Sequence, residues 1–368
     1  MSDQVRAALA TIVEGGTLSM DEARGAMGAV MDGEATPAQL AALLMGLRMR
    51  GETVDELAGF AAAMRERVVR VQAPDGAIDI VGTGGDGSGT FNISTTAALV
   101  VAAGGVVVAK HGNRAITSRA GSADVLDALG VRIDHDATSA GAALREIGFA
   151  FMFAPNFHPA MKHAGPTRRE IGIRTAFNLL GPLTNPAGTR RQLLGVGDPA
   201  AAARMADVAQ RLGTERTFVI HGAGVDELPL DGSGVLYDVA PDAIFRREIV
   251  ATKLGLPSAP TSRLAGGTPD QNARVVEAVL RGEPGARRDV VLLNAGAGFL
   301  VAGAVETLDA GVERAALTID AGLGIELLER LRDERRAADA TAAREAASAV
   351  GAADPTTARA AGIDGAHA

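Results

Sequence analysis

The 368-residue sequence contains no cysteine and no tryptophan, and only one tyrosine, Tyr237. Without cysteine there is no disulfide, no thiol nucleophile and no thiolate-bound metal. Aromatic residues make up 3% of the chain, too few to build a platform on which nucleic-acid bases stack. Excess positive charge is missing as well. The formal net charge is −8, the wrong sign for a general nucleic-acid or membrane-surface binder, so neither partner is expected. A local basic pocket for an acidic small molecule remains compatible with that total. The longest apolar run, Leu99 to Ala109, is interrupted by Gly104-Gly105 and falls short of the roughly 20 residues that cross a bilayer. The N-terminal Met-Ser-Asp-Gln-Val-Arg lacks a basic segment followed by an apolar core. No secretory signal is read there, and a cytoplasmic protein is expected.

What the chain has in quantity is glycine, and its densest cluster follows a strand-like stretch. Ile78, Ile80 and Val81 suit a short buried strand. Gly82, Gly84, Gly85, Gly87 and Gly89 then crowd into the next eight positions. Asn92-Ile93-Ser94-Thr95-Thr96 comes next, ahead of the apolar run Ala97 to Ala103. Asn, Ser and Thr before such a run start helices. A strand, a glycine loop whose N–H groups can face a ligand, and a helix N-terminus together make an anion site, most often for phosphate. No Gly-Lys-Ser/Thr follows, so this is not a P-loop of the Walker A kind.

At this length, two domains are the natural expectation. Residues 1–72 read as helical throughout. Val5, Leu9, Ile12 and Val13 share a face; Ser19 with Glu22, and Thr53 with Glu56, form capping boxes; Thr36-Pro37 opens a helix carrying Leu40, Leu43, Leu44 and Leu47. A Pro-Asp-Gly turn within Ala73 to Gly76 marks the boundary. Residues 73–331 then alternate strands with helices, the strands being expected at Ile78–Val81, Gly105–Ala109, Phe149–Phe153, Gln192–Gly195, Thr217–Ile220, Val235–Val239 and Ala243–Ile249. That alternation predicts an α/β domain with a mostly parallel sheet whose ligands lie outside the C-terminal strand ends. Stretches within 134–180 are expected to add helices to the small domain. Residues 332–368, rich in alanine, are expected to begin as helix and end as a partly disordered tail.

Three further constellations fall near strand ends. Lys110-His111-Gly112-Asn113-Arg114 follows the second expected strand, and Thr117, Ser118, Arg119, Gly121 and Ser122 precede a helix; cations, hydroxyls and amides so placed suit the far side of a phosphorylated ligand. Asp226-Glu227 follows the strand Thr217–Ile220 and a glycine turn. Adjacent carboxylates beside a phosphate loop are natural Mg²⁺ ligands, with the Ser94 hydroxyl and Asp86 as further candidates. His158, His163, Arg168 and Arg169 follow Phe149–Phe153. An arginine there is suited to clasp a carboxylate, whereas the two histidines read as structural. Gly266-Gly267-Thr268-Pro269 reads as a turn capping a helix.

Taken in order, Gly82-Thr83-Gly84-Gly85-Asp86, Asn92-Ile93-Ser94-Thr95, Lys110 to Arg114, Gly181-Pro182-Leu183-Thr184-Asn185-Pro186, Asp226-Glu227 and Gly266 to Pro269 closely resemble the anthranilate phosphoribosyltransferases of tryptophan biosynthesis. The resemblance covers about residues 3 to 331. It implies a small helical domain with a larger α/β domain, the fold shared with pyrimidine nucleoside phosphorylases, and a homodimer joined through the helical domains. It implies transfer of the phosphoribosyl group of phosphoribosyl pyrophosphate (PRPP) to anthranilate with Mg²⁺. Gly82, Gly85, Asp86, Thr90, Asn92, Ile93, Ser94, Thr95, Lys110, His111, Gly112, Asn113, Arg114, Ser118 and Ser122 would then hold PRPP, and Ser94, Asp226 and Glu227 the Mg²⁺. Gly82, Asn113, His158 and Arg168 would line the anthranilate path, and Arg168, Asn113 and Lys110 would serve the reaction itself. A phosphorylase of the same fold is the nearest alternative; the acid pair fits a metal-bound pyrophosphate better.

Overall fold

The structure, a computed structural model, describes residues 2–115, 119–222 and 224–352. It opens with four helices, α1 (Asp3–Val13), α2 (Met20–Met31), α3 (Pro37–Arg50) and α4 (Val54–Glu66). Each starts where a polar side chain satisfies its free N–H groups. Ser19, Thr36 and Thr53 cap α2, α3 and α4, and their own N–H groups donate in return to the side-chain oxygens of Glu22, Gln39 and Glu56. Glu56 is fully buried. It also accepts the Leu18 N–H at 2.9 Å and the Arg50 guanidinium, so the α4 cap ties three helices together.

Beyond the Pro-Asp-Gly turn, the chain runs β1 (Ile78–Gly82), α5 (Ile93–Ala103), β2 (Val108–Gly112), α6 (Ser122–Ala128), α7 (Ala137–Glu146), β3 (Phe149–Phe153), α8 (Ala154–Phe157), α9 (Gly165–Ile171) and α10 (Phe177–Leu180). It continues as β4 (Arg191–Gly195), α11 (Pro199–Arg211), β5 (Arg216–Gly222), β6 (Gly234–Val239), β7 (Ile244–Ile249), α12 (Pro269–Leu280), α13 (Ala286–Ala302), α14 (Leu308–Asp320) and α15 (Leu323–Ala352). The seven strands form one sheet in the order β3-β2-β1-β4-β5-β6-β7. β1 to β5 are parallel, and β6 and β7 are added antiparallel. The chain works outward from β1 to β3 and then returns to place β4 on the other side of β1. That reversal opens a crevice at the C-terminal ends of β1 and β4.

One face of the sheet (Ile78, Ile80, Leu193, Phe218) packs with α5, α12 and α13. On the other face, Leu194 and Val219 join α11 in a core continuous with α1 to α4. α9 packs against α3 and α10 against α4, whereas α7 packs on β3. Of the stretches expected to reinforce the small domain, the one around α7 therefore belongs to the sheet, because Ala140, Ala143 and Leu144 face Ala150 and Met152.

One expectation needs correction. β2 spans Val108–Gly112, not Gly105–Ala109, so Lys110 and His111 lie inside a strand, paired with Phe151 and Met152 of β3. A lysine reads as a strand terminator in the sequence; here its ammonium donates to the Ile80 carbonyl of β1 and stays buried. Position 332, where the tail was expected to begin as helix, is helical. α15 runs through it, with Arg332 donating to the Leu129 carbonyl at 2.7 Å and Arg335 to Asp127 at 2.8 Å. The end of the expected tail, 353–368, lies outside the described residues.

Asn294 of α13 is fully buried and clamps the chain just past the acid pair. Its amide accepts from Leu228 N–H at 2.9 Å and donates to the Leu228 carbonyl at 3.0 Å. Asn294→Leu leaves both of those backbone groups unpaired, at a cost of about 2–4 kcal/mol. The check is the urea unfolding midpoint, which should fall accordingly; an unchanged midpoint would show that the clamp carries no stability.

Candidate active site

Gly82 ends β1 and lies opposite Gly195, which ends β4. Both positions require glycine because Asp226 sits on them. A Cβ on Gly82 would stand 2.3 Å from Asp226 Oδ2, and one on Gly195 1.7 Å from the Asp226 carbonyl oxygen. Asp226 arrives there because β5 pairs in parallel with β4 and ends beside it. Past Gly82 the backbone takes positive φ at Gly84, Gly85, Gly87 and Gly89, values open chiefly to glycine. Gly82, Gly84 and Gly87 fall at dinucleotide-loop spacing, but α5 does not begin until Ile93, so the loop is a wide arch and not a tight strand-to-helix turn.

Acidic side chains close this arch. Gly84 N–H donates to Asp226 Oδ2 at 2.8 Å, Ser94 N–H in the first turn of α5 donates to Glu227 Oε1 at 2.9 Å, and Asp226 N–H donates to Asp86 Oδ2 at 3.3 Å. The result is a cavity of about 300 Å³. It is lined by Gly82, Gly85, Asp86, Thr90, Asn92, Ser94 and Thr95 from the first motif, and by Lys110, His111, Gly112, Asn113, Arg114 and Ser122 from the second. Asp226 and Glu227 complete the wall.

Other expected residues fall elsewhere. Ile93 turns into the core, His158 and Arg168 are not among the lining residues, and Ser118 lies outside the described residues. His158 stands one layer back, its ring centroid 5.1 Å from that of His111. Arg168 lies over the Phe177 ring at 4.6 Å. Arg114 reaches the cavity wall, but its guanidinium is paired with Asp124 at 2.8 Å and Asp127 at 3.3 Å. Asn92 does not cap α5 with its side chain, which bridges the Ala120 carbonyl at 3.2 Å and the Asn272 amide at 2.9 Å.

The electrostatics are those of a buried acid cluster around one lysine. Burial raises Asp226 from 3.8 to about 6, with neighbouring Asp86 adding to the effect, and burial together with Asp226 holds Glu227 well above its ordinary value. Lys110 is lowered by burial, and Asp79, Glu227 and Asp226 oppose that. Asp79, wholly buried in β1, is raised to about 6 by burial. It accepts Asn185 Nδ2 at 2.8 Å and His111 N–H at 3.3 Å, anchoring the Gly181–Pro186 turn to β2. His111 is pushed down to about 3 by burial and by His158, so its ring is neutral at pH 7. Its Nδ1 meets the Gly181 carbonyl at 3.2 Å, which makes Nδ1 the protonated nitrogen. Nε2 of both His111 and His158 is buried without a partner.

Several site residues had no local signal in the sequence. Arg174 and Asn178 line the cavity from the connection between β3 and β4, and Arg174 donates to the Gly84 carbonyl at 2.7 Å. Gly266 to Pro269 does cap α12, as expected, but it also clasps the arch. Gly266 N–H donates to the Gly89 carbonyl at 2.8 Å, and Asn272 Oδ1 accepts Gly267 N–H at 2.7 Å while its amide holds Asn92.

Among the described residues no three His, Asp or Glu side chains already converge as a metal cage. Asp226 and Glu227 nonetheless suit Mg²⁺. Glu227 is buried and Asp226 partly so, both offer only oxygen and they repel one another, and Mg²⁺ is usually held by one or two carboxylates, water and substrate phosphates.

Residues 74–325 match the α/β domain of a glycosyl transferase family, and residues 6–68 match its helical bundle domain. The anthranilate phosphoribosyltransferase of Symbiobacterium thermophilum is 50% identical over 331 residues, 89% of this chain and 97% of that protein. The crystal structure of the enzyme from Thermus thermophilus matches with a TM-score of 0.85 at 46% identity, covering 91% of this chain and all of that one. The enzyme from Saccharomyces cerevisiae in complex with PRPP and Mg matches with a TM-score of 0.83 at 25% identity, over 92% of this chain and 99% of that one.

The raised carboxyl of Asp226 makes a stability prediction with a definite sign. Its folded value of about 6 exceeds its ordinary 3.8. Ionising it therefore weakens the metal-free fold progressively above pH 4, and fully above pH 6. Asp226→Asn can still accept the Gly84 N–H and removes that charge. In EDTA its melting temperature at pH 8 should exceed the wild type's by the equivalent of about 1–3 kcal/mol, and the gap should close toward pH 4. A variant less stable than wild type at pH 8 would contradict this electrostatic account.

Proposed function

Because this chain belongs to the anthranilate phosphoribosyltransferase family, we propose that it transfers the phosphoribosyl group of PRPP to the amine of anthranilate, releasing pyrophosphate, in tryptophan biosynthesis. The observation that carries this reading is the buried Asp226-Glu227 pair pressed against the glycine arch at the joined ends of β1 and β4.

In this proposal the arch from Gly82 to Thr90 and the start of α5 (Asn92, Ser94, Thr95) hold the phosphates, with Lys110 and Ser122 opposite. Asp226, Glu227 and the Ser94 hydroxyl hold Mg²⁺, which when bound neutralises charge on the departing pyrophosphate. Positive charge develops at the ribose ring oxygen and C1 as that group leaves. The carboxylates lining the cavity favour such charge more than bulk water does. Asn113 and Arg168 orient anthranilate so that its amine faces C1, with Gly82 at the edge of the path. An aromatic amine is unprotonated at pH 7, so attack requires no strong general base. Burial lowers Arg168 from its ordinary value, and no carboxylate offsets that, which suits a guanidinium kept for a substrate carboxylate. The neutral His111–His158 pair, each with an unpartnered Nε2, supports the aromatic end of the same path.

The proposal extends to organisation. Residues 1–72 form the helical domain and 73–331 the phosphoribosyl-binding domain. The protein is a cytoplasmic homodimer joined through the helical domains, where Val13 of the α1 end and Met49 of α3 are 83% and 84% exposed. Among the described residues no helix is long and apolar enough to cross a membrane. Sedimentation at micromolar concentration should give a dimer, and a monomer would reject that part of the proposal.

The decisive assay follows loss of anthranilate fluorescence with PRPP, with and without Mg²⁺. Activity should require all three components. Arg168→Ala should raise the anthranilate KM roughly 10–150-fold, the equivalent of about 1.5–3 kcal/mol for a charge-assisted contact, and leave the PRPP KM nearly unchanged. Equal effects on both substrates would reject the role given to Arg168.

A further inference from the structure

Cations that the catalytic reading leaves unused collect at the other end of the sheet. A cavity of about 250 Å³ opens beside the N-terminal ends of β4 and β5, where the helical bundle meets the sheet. Three arginines line it: Arg65 from the last turn of α4, Arg70 from the linker that follows, and Arg190 from the residue before β4. No Asp or Glu is among its lining residues. The hydrogen bonds these guanidiniums make go to backbone carbonyls. Arg65 Nε donates to Leu183 at 2.6 Å, Arg70 Nη2 to Arg65 at 3.1 Å, and Arg190 Nη2 to Gly213 at 3.4 Å. Glu215, which senses the Arg190 charge, is itself engaged by Arg191. Burial and the Arg70 charge hold Arg65 down to about 10, still cationic at neutral pH but without a compensating anion.

Guanidiniums gathered without a counter-ion repel one another, and their remaining N–H groups present the forked geometry that matches a tetrahedral oxyanion. The other polar groups nearby are largely used. Thr214 and Thr217 share a hydroxyl contact at 2.6 Å, and Gln192 donates to the Pro182 carbonyl at 2.6 Å. The donors available to a ligand are therefore the arginines, and they come from both sides of the domain junction.

We propose that this cavity binds a phosphate-class oxyanion, either free phosphate or the phosphoryl end of a small metabolite, which bridges α4 and its linker to the α/β domain. Binding there fastens the linker across the Gly181–Pro186 turn, because Arg65 already holds Leu183 of that turn.

The test titrates inorganic phosphate, and separately ribose 5-phosphate, into the full chain. Saturating PRPP and Mg²⁺ without anthranilate keep the catalytic cavity filled, and NaCl holds ionic strength constant. The partner protein is Arg70→Gln/Arg190→Gln, two exposed residues outside the proposed catalytic machinery. Phosphate should raise the wild-type melting temperature saturably. In the double variant the apparent affinity should fall about tenfold or more, with kcat and both KM values unchanged. Equal response to ribose 5-phosphate assigns the site to the phosphoryl group in general, and response to phosphate alone assigns it to the free ion. An identical response in wild type and variant, or one reproduced by NaCl, overturns the proposal. That comparison stands whether or not PRPP is what fills the catalytic cavity.

Discussion

The rest of the site depends on one close packing contact, the seating of Asp226 on the two glycines that end β1 and β4. The Asp226 backbone rests on Gly195 and its carboxylate on Gly82, so neither glycine position has room for a side chain. A carboxylate thereby reaches the base of the glycine arch and accepts a hydrogen bond from it. The next residue, Glu227, performs the same service at the start of α5. The acid pair thus has two physical roles. It shapes the arch through neutral N–H donors, and it concentrates negative charge that burial makes unfavourable until a cation shares it. On the proposed reading, metal and phosphates would complete this electrostatically incomplete site and bind partly by relieving that cost.

Lys110 works against the same background. Its ammonium is buried in the sheet among Asp79, Asp226 and Glu227, and it donates to the carbonyl of Ile80. A buried charge of this kind is expensive unless its partners are fixed. Asp79 in turn holds His111 and Asn185. The polar network inside the parallel strands therefore couples the strand that carries the arch, the strand that carries the cation, and the turn behind them.

Much of this was legible in residue order. The helical bundle announced itself through two capping boxes and a Thr-Pro helix start, and the arch through glycine density behind a strand and ahead of Asn-Ile-Ser-Thr-Thr. The acid pair stood out by its position after β5. Less accessible was anything set by tertiary contact. The shift of β2 onto Lys110 and His111 comes from pairing with β3, which places a lysine where local propensity argues against one. Arg174, Asn272 and Asn294 act through partners far along the chain, so no spacing rule could find them. Asn92 looked like a helix cap and is a strut between two loops.

The connection from β3 to β4 gains significance from this geometry. It carries His158, Arg168, Arg174 and Asn178, and its helices α9 and α10 rest on α3 and α4 of the bundle. Arg174 extends from it to the arch carbonyl at Gly84, while Arg168, six residues earlier, stands over Phe177. A small displacement of the bundle relative to the sheet would therefore move both the arch contact and the guanidinium proposed for anthranilate, with the strands left in place. On the proposed roles, the bundle would serve as the support that sets the distance between the two substrates, a quantity to which reaction rate is steeply sensitive.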